Sequence, residues 1–337
     1  MTTAIVILNW NGRPMLERFM PSVTACCGQA QVVVADNGST DDSRAFLQQH
    51  YPDVPLVCLD KNYGFAEGYN RAIASLPGTY DCYVLLNSDV ECTPHWVEPI
   101  LEMMQRDPQI GIVQPKLLMY DQRDTFEYAG GAGGFIDKYG YPFCRGRLFS
   151  TLEKDHGQYD DPCDIFWASG AAMFVRASVW QELGGLDGDF FAHMEEIDFC
   201  WRAHLAGHRV CYCPQSVVYH VGGGTLPKSS PFKTELNFRN NLSMLYKNLP
   251  SPGRVLAMRM WLDRVAALKF LLEGHRGEYL AVRKAHRQYR AWKPALRAKR
   301  KKNGTRQVPQ IYQGLLLLEY YLLGRKTFSA LQGPFSR

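Results

Sequence analysis

The sequence predicts an α/β fold: a mostly parallel sheet with helices on both faces, followed by a C-terminal helical extension. Three observations carry this. Short runs rich in Val, Ile and Leu alternate with amphipathic stretches through the first half of the chain. Each early run ends in a short polar turn, most of them with glycine. From about Phe232 onward the apolar spacing is helical. The 337 residues, 46% hydrophobic and 21% charged, can bury a sizeable core and exclude global disorder. We divide them into a domain of residues 1–230 and a helical region of residues 231–337.

In order, TAIVIL, QVVVAD, VPLVCL and CYVLLN are the strands; MLERFMPSVTACC, SRAFLQQ and EGYNRAIAS are the helices between them. Parallel strands buried on both faces read as near-continuous apolar runs. Such folds bind ligands beyond the carboxyl ends of their strands, which directs attention to the turns. They are Asn9-Trp10-Asn11-Gly12, the polar run from Asp36 to Asp42, the stretch from Asp60 to Phe65, and Asn87-Ser88-Asp89. One polar turn is ordinary helix capping. Four at one sheet edge make a crevice of carboxylates, amides and closely approaching backbone.

Residues 120–165 are Gly- and Tyr-rich and predict irregular or short antiparallel structure over that crevice. GGAGG there is no phosphate loop, because no Lys-Ser/Thr follows and no helix opens after it. A strand-like FWASGAAMFV, a turn (GGLDGDFF), a helix from Glu195 to Ala206 and a strand (HRVCYCP) come next. Beyond them KTELNFRNNLSMLYKNL, RVLAMRMWLDRVAALKFLLEG, a basic stretch and IYQGLLLLEYYLLG all read as helical. Charges and prolines interrupt the longest apolar runs, so none is expected to span a bilayer.

No basic stretch leads into an apolar run at the N-terminus, so no secretory signal is expected. The ten cysteines include no CxxC pair and are expected to be buried free thiols, with Cys211 and Cys213 on one side of a strand. Between Arg283 and Arg306 stand 11 Lys/Arg and no Asp/Glu, although the whole chain carries only +5. The remainder is therefore net acidic, which argues against nucleic acid as a partner. Amphipathic helices beside a basic cluster predict contact with an anionic membrane surface.

Two sets of residues carry the chemistry. Asp89 stands directly off a buried strand, and His220 ends the strand-like VVYH before three glycines. A carboxylate and a neutral imidazole together suit Mg²⁺ or Mn²⁺. In HMEEIDFCWRAH, let Ile197, Cys200, Trp201, His204 and Leu205 be the buried face. Glu196 and Asp198 then fall on its two edges, and Glu195 points away. Arg202 lies four residues after Asp198, so an ion pair is its simplest fate. Glu196 has no such partner and sits at a helix N-terminus, which makes it the first candidate for general base, with Asp198 the second.

The segments IVILNWNG, VVVADNGSTDDS, NYGFAEGYNRAI, VLLNSDV, SGAAMFVRASVWQELGGLDGDFFAHMEEIDFCWRAHLAG and VYHVGGGT, in this order, resemble the family-2 glycosyltransferases of the bacterial rhamnosyltransferase-like kind. The likeness runs from Ala4 to Gly224, about two-thirds of the chain, and the combination is specific where each segment alone is not. It implies a GT-A fold with a Rossmann-like sheet. It implies inverting transfer of a sugar from a nucleotide diphospho-sugar, UDP- or dTDP-linked, to a hydroxyl of a glycan acceptor, lipid-linked, in cell-surface polysaccharide synthesis. The expected location is cytoplasmic and peripheral on the inner face of the plasma membrane.

By the same resemblance Asn9, Asp36 and Asn62 surround base and ribose, and Asn11, Gly64, Asn70, Asn87 and Ser88 complete the nucleotide-sugar site. Asn87-Ser88-Asp89 takes the place of the Asp-X-Asp signature, with Asp89 on the metal. His220 falls where some relatives place a metal-binding His, and Glu196 falls on the family's catalytic Asp. Trp167, Ser169, Gly170 and Asp187 are implied near donor sugar or acceptor. Two departures stand out. Asn87 removes one charge from the signature. Glu196 is one methylene longer than Asp, so its pocket has to be shaped for it. A sugar nucleotidyltransferase would carry a Gly-rich, basic loop where NWNGRP stands. A non-catalytic binding descendant is disfavoured by the complete set of Asp89, Glu196 and His220.

Overall fold

A computed structural model describes residues 1–222 and 230–337; Gly223, Gly224 and Thr225 of the glycine run after His220 lie outside them. The first half folds as the alternation predicts. It comprises β1 (Thr3–Asn9), α1 (Arg13–Cys26), β2 (Gln31–Asp36), α2 (Ser43–His50), β3 (Leu56–Cys58), α3 (Gly64–Ala74), β4 (Cys82–Asn87), β5 (Val90–Cys92), α4 (Glu98–Arg106) and β6 (Ile110–Met119). After a Gly-rich excursion come β11 (Cys163–Asp164), β12 (Ala172–Arg176), α5 (Ala177–Leu183), a 3-10 turn (Gly188–Phe190), α6 (Glu195–Ala206) and β13 (Arg209–His220). The runs HRVCYCP and VVYH form one strand, β13, with a register break between Cys213 and Val217.

The main sheet has the order β11-β13-β6-β12-β4-β1-β2-β3, with β5 pairing β13. Its strands are buried on both faces. Ile5, Ile7 and Val84 pack into one core layer with Trp96, and Val6 and Leu85 pack into the other with Tyr69. β1, β2, β3 and β4 are parallel, and β12 runs antiparallel between β4 and β6. β13 is parallel to β6. The carboxyl ends of β1, β2, β4, β6 and β13 therefore share one sheet edge with the amino end of β12. Asn9, Asp36, Asn87, Gly170 and His220 gather at that edge.

The Gly/Tyr-rich segment forms a small second sheet: β7 (Gly134–Asp137), β8 (Pro142–Cys144), β9 (Arg147–Leu148) and β10 (Thr151–Leu152), all antiparallel neighbours. One expectation is corrected here. IYQGLLLLEYYLLG is not a continuous helix. Ile311–Tyr312 forms β14, parallel to β7, and helical structure is confined to residues 316–322, ending in the short π-helical turn Leu318–Leu322. The open edge of β7 supplies hydrogen bonds to the extended backbone, and Gly314 lies against the Tyr312 ring with no room for a side chain.

The C-terminal helices α7 (Pro231–Asn248), α8 (Pro252–Leu272) and α9 (Arg276–Asn303) pack on one another. α7 is buried on nearly every side, and its Leu242 and Leu245 join the same core as Trp201 and Phe190. Cys211 and Cys213 share one core layer, on the opposite side of β13 from Tyr212. All ten cysteines are free thiols. Among the described residues, no helix is long and apolar enough to cross a membrane.

Candidate active site

The nucleotide-side residues form a hydrogen-bonded rim at the ends of β1 and β2. Asn9 donates to Asp36 (3.2 Å) and to Ser39 (3.3 Å). Asp36 is fully buried, accepts from the Ser39 amide and pairs with Arg44. Asn11 has a left-handed backbone (φ 49°), and its side-chain oxygen accepts from the Thr40 amide at 2.7 Å. Asn62 accepts from the Gly64 amide (2.8 Å) and from Asn37 (3.2 Å). Asn37, which sequence reasoning missed, binds the Tyr63 amide and the Gly64 carbonyl and so joins two of the polar turns. Gly64 is at φ 75°, and a Cβ there would strike Phe191.

Several expected contacts have other partners. Asn70 binds Leu186 with both ends of its amide, accepting from the backbone N–H and donating to the carbonyl (2.9 Å each). Trp167 is buried; its ring covers Gly134 and its indole N–H donates to the Phe135 carbonyl. Ser169 is also buried, holding the Gln114 side chain and the Ala171 amide. Asp187 is clasped by Lys247 of α7 and Lys299 of α9, and their charges outweigh burial and hold its carboxyl far below the usual range. A cavity of about 210 Å³ beside it is lined by Arg202, Lys247, Lys299 and Lys302.

At the carboxyl end of β4 the antiparallel pairing of β5 with β13 places Val90 opposite His220. Asp89 Oδ1 then lies 3.1 Å from His220 Nε2, and Asn87 Nδ2 lies 3.4 Å from the same nitrogen. On the other side of the ring, His220 Nδ1 faces Glu127 Oε1 at 3.4 Å. Glu127 is buried and is fixed by the Ala129 amide (2.6 Å). Burial alone would lower the imidazole pKa, but Glu127 and Asp89 override it and hold it at about 10. Burial likewise acts to raise Asp89, and the His220 charge overrides that and lowers it. Two carboxylates around one imidazole form a site that favours positive charge.

These residues fit a divalent cation. Nε2 and Oδ1 converge, and the Glu127 carboxylate stands behind the ring at 3.4 Å, the side from which carboxylates commonly support metal-bound histidines. No trio of His, Cys, Asp and Glu that could hold a metal exists among the described residues. A cation here would complete its shell from phosphate oxygens or water, as Mg²⁺ sites on substrate phosphates do.

α6 begins exactly where its spacing predicts, but Glu195 does not point away. It is buried, with an oxygen lacking a partner. A single-face helical wheel fails for α6 because α7 covers the side opposite the sheet, so nine of its residues are buried. Burial, then the neighbouring Glu196, drive the Glu195 carboxyl far up. Asp198 is fully buried and saturated: it accepts from Arg202 (2.9 Å), Lys247 (2.8 Å) and Asn248 (2.8 Å). Glu196 is half-buried, has an unpartnered oxygen, and is pushed up by burial to about 7. A Cβ on Gly170 would sit 3.9 Å from the Glu196 Cβ and 2.9 Å from the Phe65 ring. The neighbouring Ala171 carbonyl accepts from the Asn87 amide (2.9 Å). Gly170 thus leaves room for Glu196 beside the amino end of β12.

The loop before α6 is strained. Phe191, His193 and Met194 have φ of 65°, 70° and 72°. Asn240 of α7 holds it, donating to the carbonyls of Phe190 (2.9 Å), Ala192 (3.0 Å) and His193 (2.8 Å). The Phe191 carbonyl in turn accepts from the Phe65 amide (2.6 Å) at the start of α3. Sequence reading gave this segment only as helical and not this task, since the partners lie far away in sequence.

The family model for "Glycosyltransferase like family 2" matches residues 2–241. The chain is 29% identical over 231 residues to an N-acetylglucosaminyl-diphospho-decaprenol L-rhamnosyltransferase of Mycobacterium tuberculosis, covering 64% of this chain and 75% of that one. It is 24% identical over 223 residues to the rhamnosyltransferase WbbL of Escherichia coli, covering 64% and 82% respectively. Among solved structures, GalNAc-T7 with UDP, GalNAc and Mn²⁺ superposes with TM-score 0.58 at 16% identity, over 75% of this chain and 49% of that one. The S. aureus TarS 1–349 fragment superposes with TM-score 0.53 at 14% identity, over 90% and 89%. The fold is GT-A, and the chain belongs to the family-2 glycosyltransferases.

Proposed function

We propose that this enzyme transfers a sugar from a UDP- or dTDP-linked donor, with inversion, to a hydroxyl of a lipid-linked saccharide. The observation that supports the reading is the Asp89–His220 pair at the carboxyl edge of the sheet, together with Glu196, half-buried with one unpartnered oxygen, beside Gly170 at the amino end of β12. The rim of Asn9, Asn11, Asp36 and Asn62 offers hydrogen bonds to a nucleoside, and Gly64 lets its backbone come close. Asp89 and His220 would hold Mg²⁺ or Mn²⁺, which would stabilise negative charge on the departing diphosphate. Glu127 keeps the His220 ring turned so that Nε2 faces that position.

Glu196 takes the proton from the acceptor hydroxyl. A base whose pKa lies near 7 is matched to that task at neutral pH. Asp198 is left out of the chemistry, because three donors already occupy it. The strained loop held by Asn240 fixes where the Glu196 carboxylate stands. The lipid-linked acceptor is supported by the mycobacterial relative's name, which specifies a diphospho-decaprenol sugar. It also supports a peripheral position at the inner face of the plasma membrane.

The test is a thermal-shift panel of UDP, dTDP and GDP, with and without Mn²⁺, on wild type and Asp89→Ala. A ligand at about 100 times its Kd adds roughly 2.7 kcal/mol of stability. Stabilisation by UDP or dTDP that needs metal and vanishes in Asp89→Ala supports the donor site. No shift with any nucleotide in the wild type refutes it.

A further inference from the structure

α8 departs from an ordinary surface helix on both sides. Its inward side, besides Leu256 and Ala267, buries a charged pair. Arg259 donates to Asp263 at 2.8 Å, and His286 of α9 meets the other Asp263 oxygen at 3.0 Å. Arg259 also reaches the Tyr139 carbonyl at 3.3 Å and lies 4.0 Å over the Tyr141 ring. Its outward side is apolar. Met258, Trp261, Val265, Leu268 and Leu272 are exposed, Trp261 by 56% and Leu272 by 79%. Their spacing in steps of three and four makes one stripe along the last two-thirds of the helix, about 21 Å.

Apolar stripes of this length do not normally face water. A second apolar patch, Tyr321-Leu322-Leu323, is exposed by 63%, 78% and 53%. It neighbours α8, because Tyr141 beside Arg259 packs on Phe149 (6.2 Å), which packs on Tyr321 (5.3 Å). The charges around the stripe are mostly positive, Glu273 at the helix end pairing with Lys269 at 3.4 Å. Arg254, Arg264 and Lys269 are exposed on α8, and the only carboxylate within the helix, Asp263, is buried. On α9, Arg283, Arg287 and Arg290 are exposed as well.

We propose that the outer face of α8, together with the Tyr321–Leu323 patch, docks on the surface of an anionic lipid bilayer. An apolar stripe containing Trp and flanked by Lys/Arg is what an interfacial helix needs: the stripe enters the acyl boundary and the cations meet lipid phosphates. A second copy of the chain fits less well. A two-fold contact across α8 would set like charges against each other. The surface is argued from α8 itself; its purpose rests on the proposed lipid-linked acceptor.

The experiment uses the full chain and sedimentation with vesicles of phosphatidylcholine and phosphatidylglycerol, against vesicles of phosphatidylcholine alone. Wild type is expected to sediment with the anionic vesicles, with a blue shift of tryptophan emission that Trp261→Phe removes. The double variant Leu268→Glu/Leu272→Glu is expected to partition at least about tenfold less, the order expected for withholding two leucine side chains from an apolar phase. Both positions are exposed, so the fold is retained, and an unchanged thermal-shift response to UDP or dTDP with Mn²⁺ verifies this. Equal partitioning of wild type and double variant overturns the proposal, as does failure of the wild type to bind anionic vesicles. A wild-type dimer that the double variant dissociates gives the face to a second copy and also overturns it. Vesicle binding without any nucleotide response would refute the donor-site reading and leave the docking surface standing.

Discussion

Glu195 and Glu196 are neighbours with opposite prospects. Glu195 is buried, whereas Glu196 is half-buried beside Gly170 at the sheet edge. If Glu196 is the base, Glu196→Gln lowers kcat by about 10² to 10⁴ and leaves nucleotide binding intact. The wild-type rate should rise with pH through about 7, because burial raises this carboxyl and only its ionised form accepts a proton. A pH–rate profile with its acid limb near the ordinary glutamate value would assign the proton transfer elsewhere. Glu127 is a second test. Glu127→Gln should weaken Mn²⁺ binding by about 10- to 100-fold, the usual cost of losing a carboxylate behind a metal-bound His. Titration followed by manganese EPR reads this without turnover. That Glu196 has no ion-pair partner on its own helix was legible in the sequence, because helix spacing alone shows which residues lie within reach. Glu127 was not: it sits in a glycine-rich stretch with no periodicity, and it meets His220 only through the sheet.

α6 and α7 work as a pair. Asn240 makes three hydrogen bonds to a loop with three non-glycine residues at positive φ, a conformation that costs about 1–3 kcal/mol at each position. Asn240→Ala should therefore let the loop relax and lower kcat, with UDP or dTDP affinity unchanged. An equal loss in both would mean that the helix supports the whole body and not the loop. Lys247 bridges Asp187 and Asp198, all three almost fully buried. Lys247→Met leaves buried carboxylates short of a partner and should destabilise the fold by about 3–5 kcal/mol, read from urea unfolding midpoints. Elements with a strong period were legible, and α6 and the β1–β4 alternation fall where their patterns put them. β14 was not, because its two residues are strand only by virtue of the open edge of β7.

At the scale of the whole molecule, the sheet and the helices after residue 230 share one core, since Phe190 and Trp201 pack in the same cluster as Leu242, Leu245 and Tyr312. The division at residue 230 drawn from composition therefore crosses a packed interface. A chain ending at residue 230 would uncover Asp187 and Asp198 and that apolar surface. It should aggregate or fail to unfold cooperatively, a result read by size-exclusion chromatography and calorimetry. Residue composition locates a change in character, from strands to helices; it does not show which surfaces close on one another. The helices also fix a distance. α7 grips the loop that carries the Glu196 carboxylate, and α8, packed against α7, turns its tryptophan outward. With α8 lying at a bilayer, a rigid bundle sets the height of the reacting hydroxyl above the lipid, so the enzyme would act as a ruler, choosing among acceptor sugars by how far each stands from its anchor.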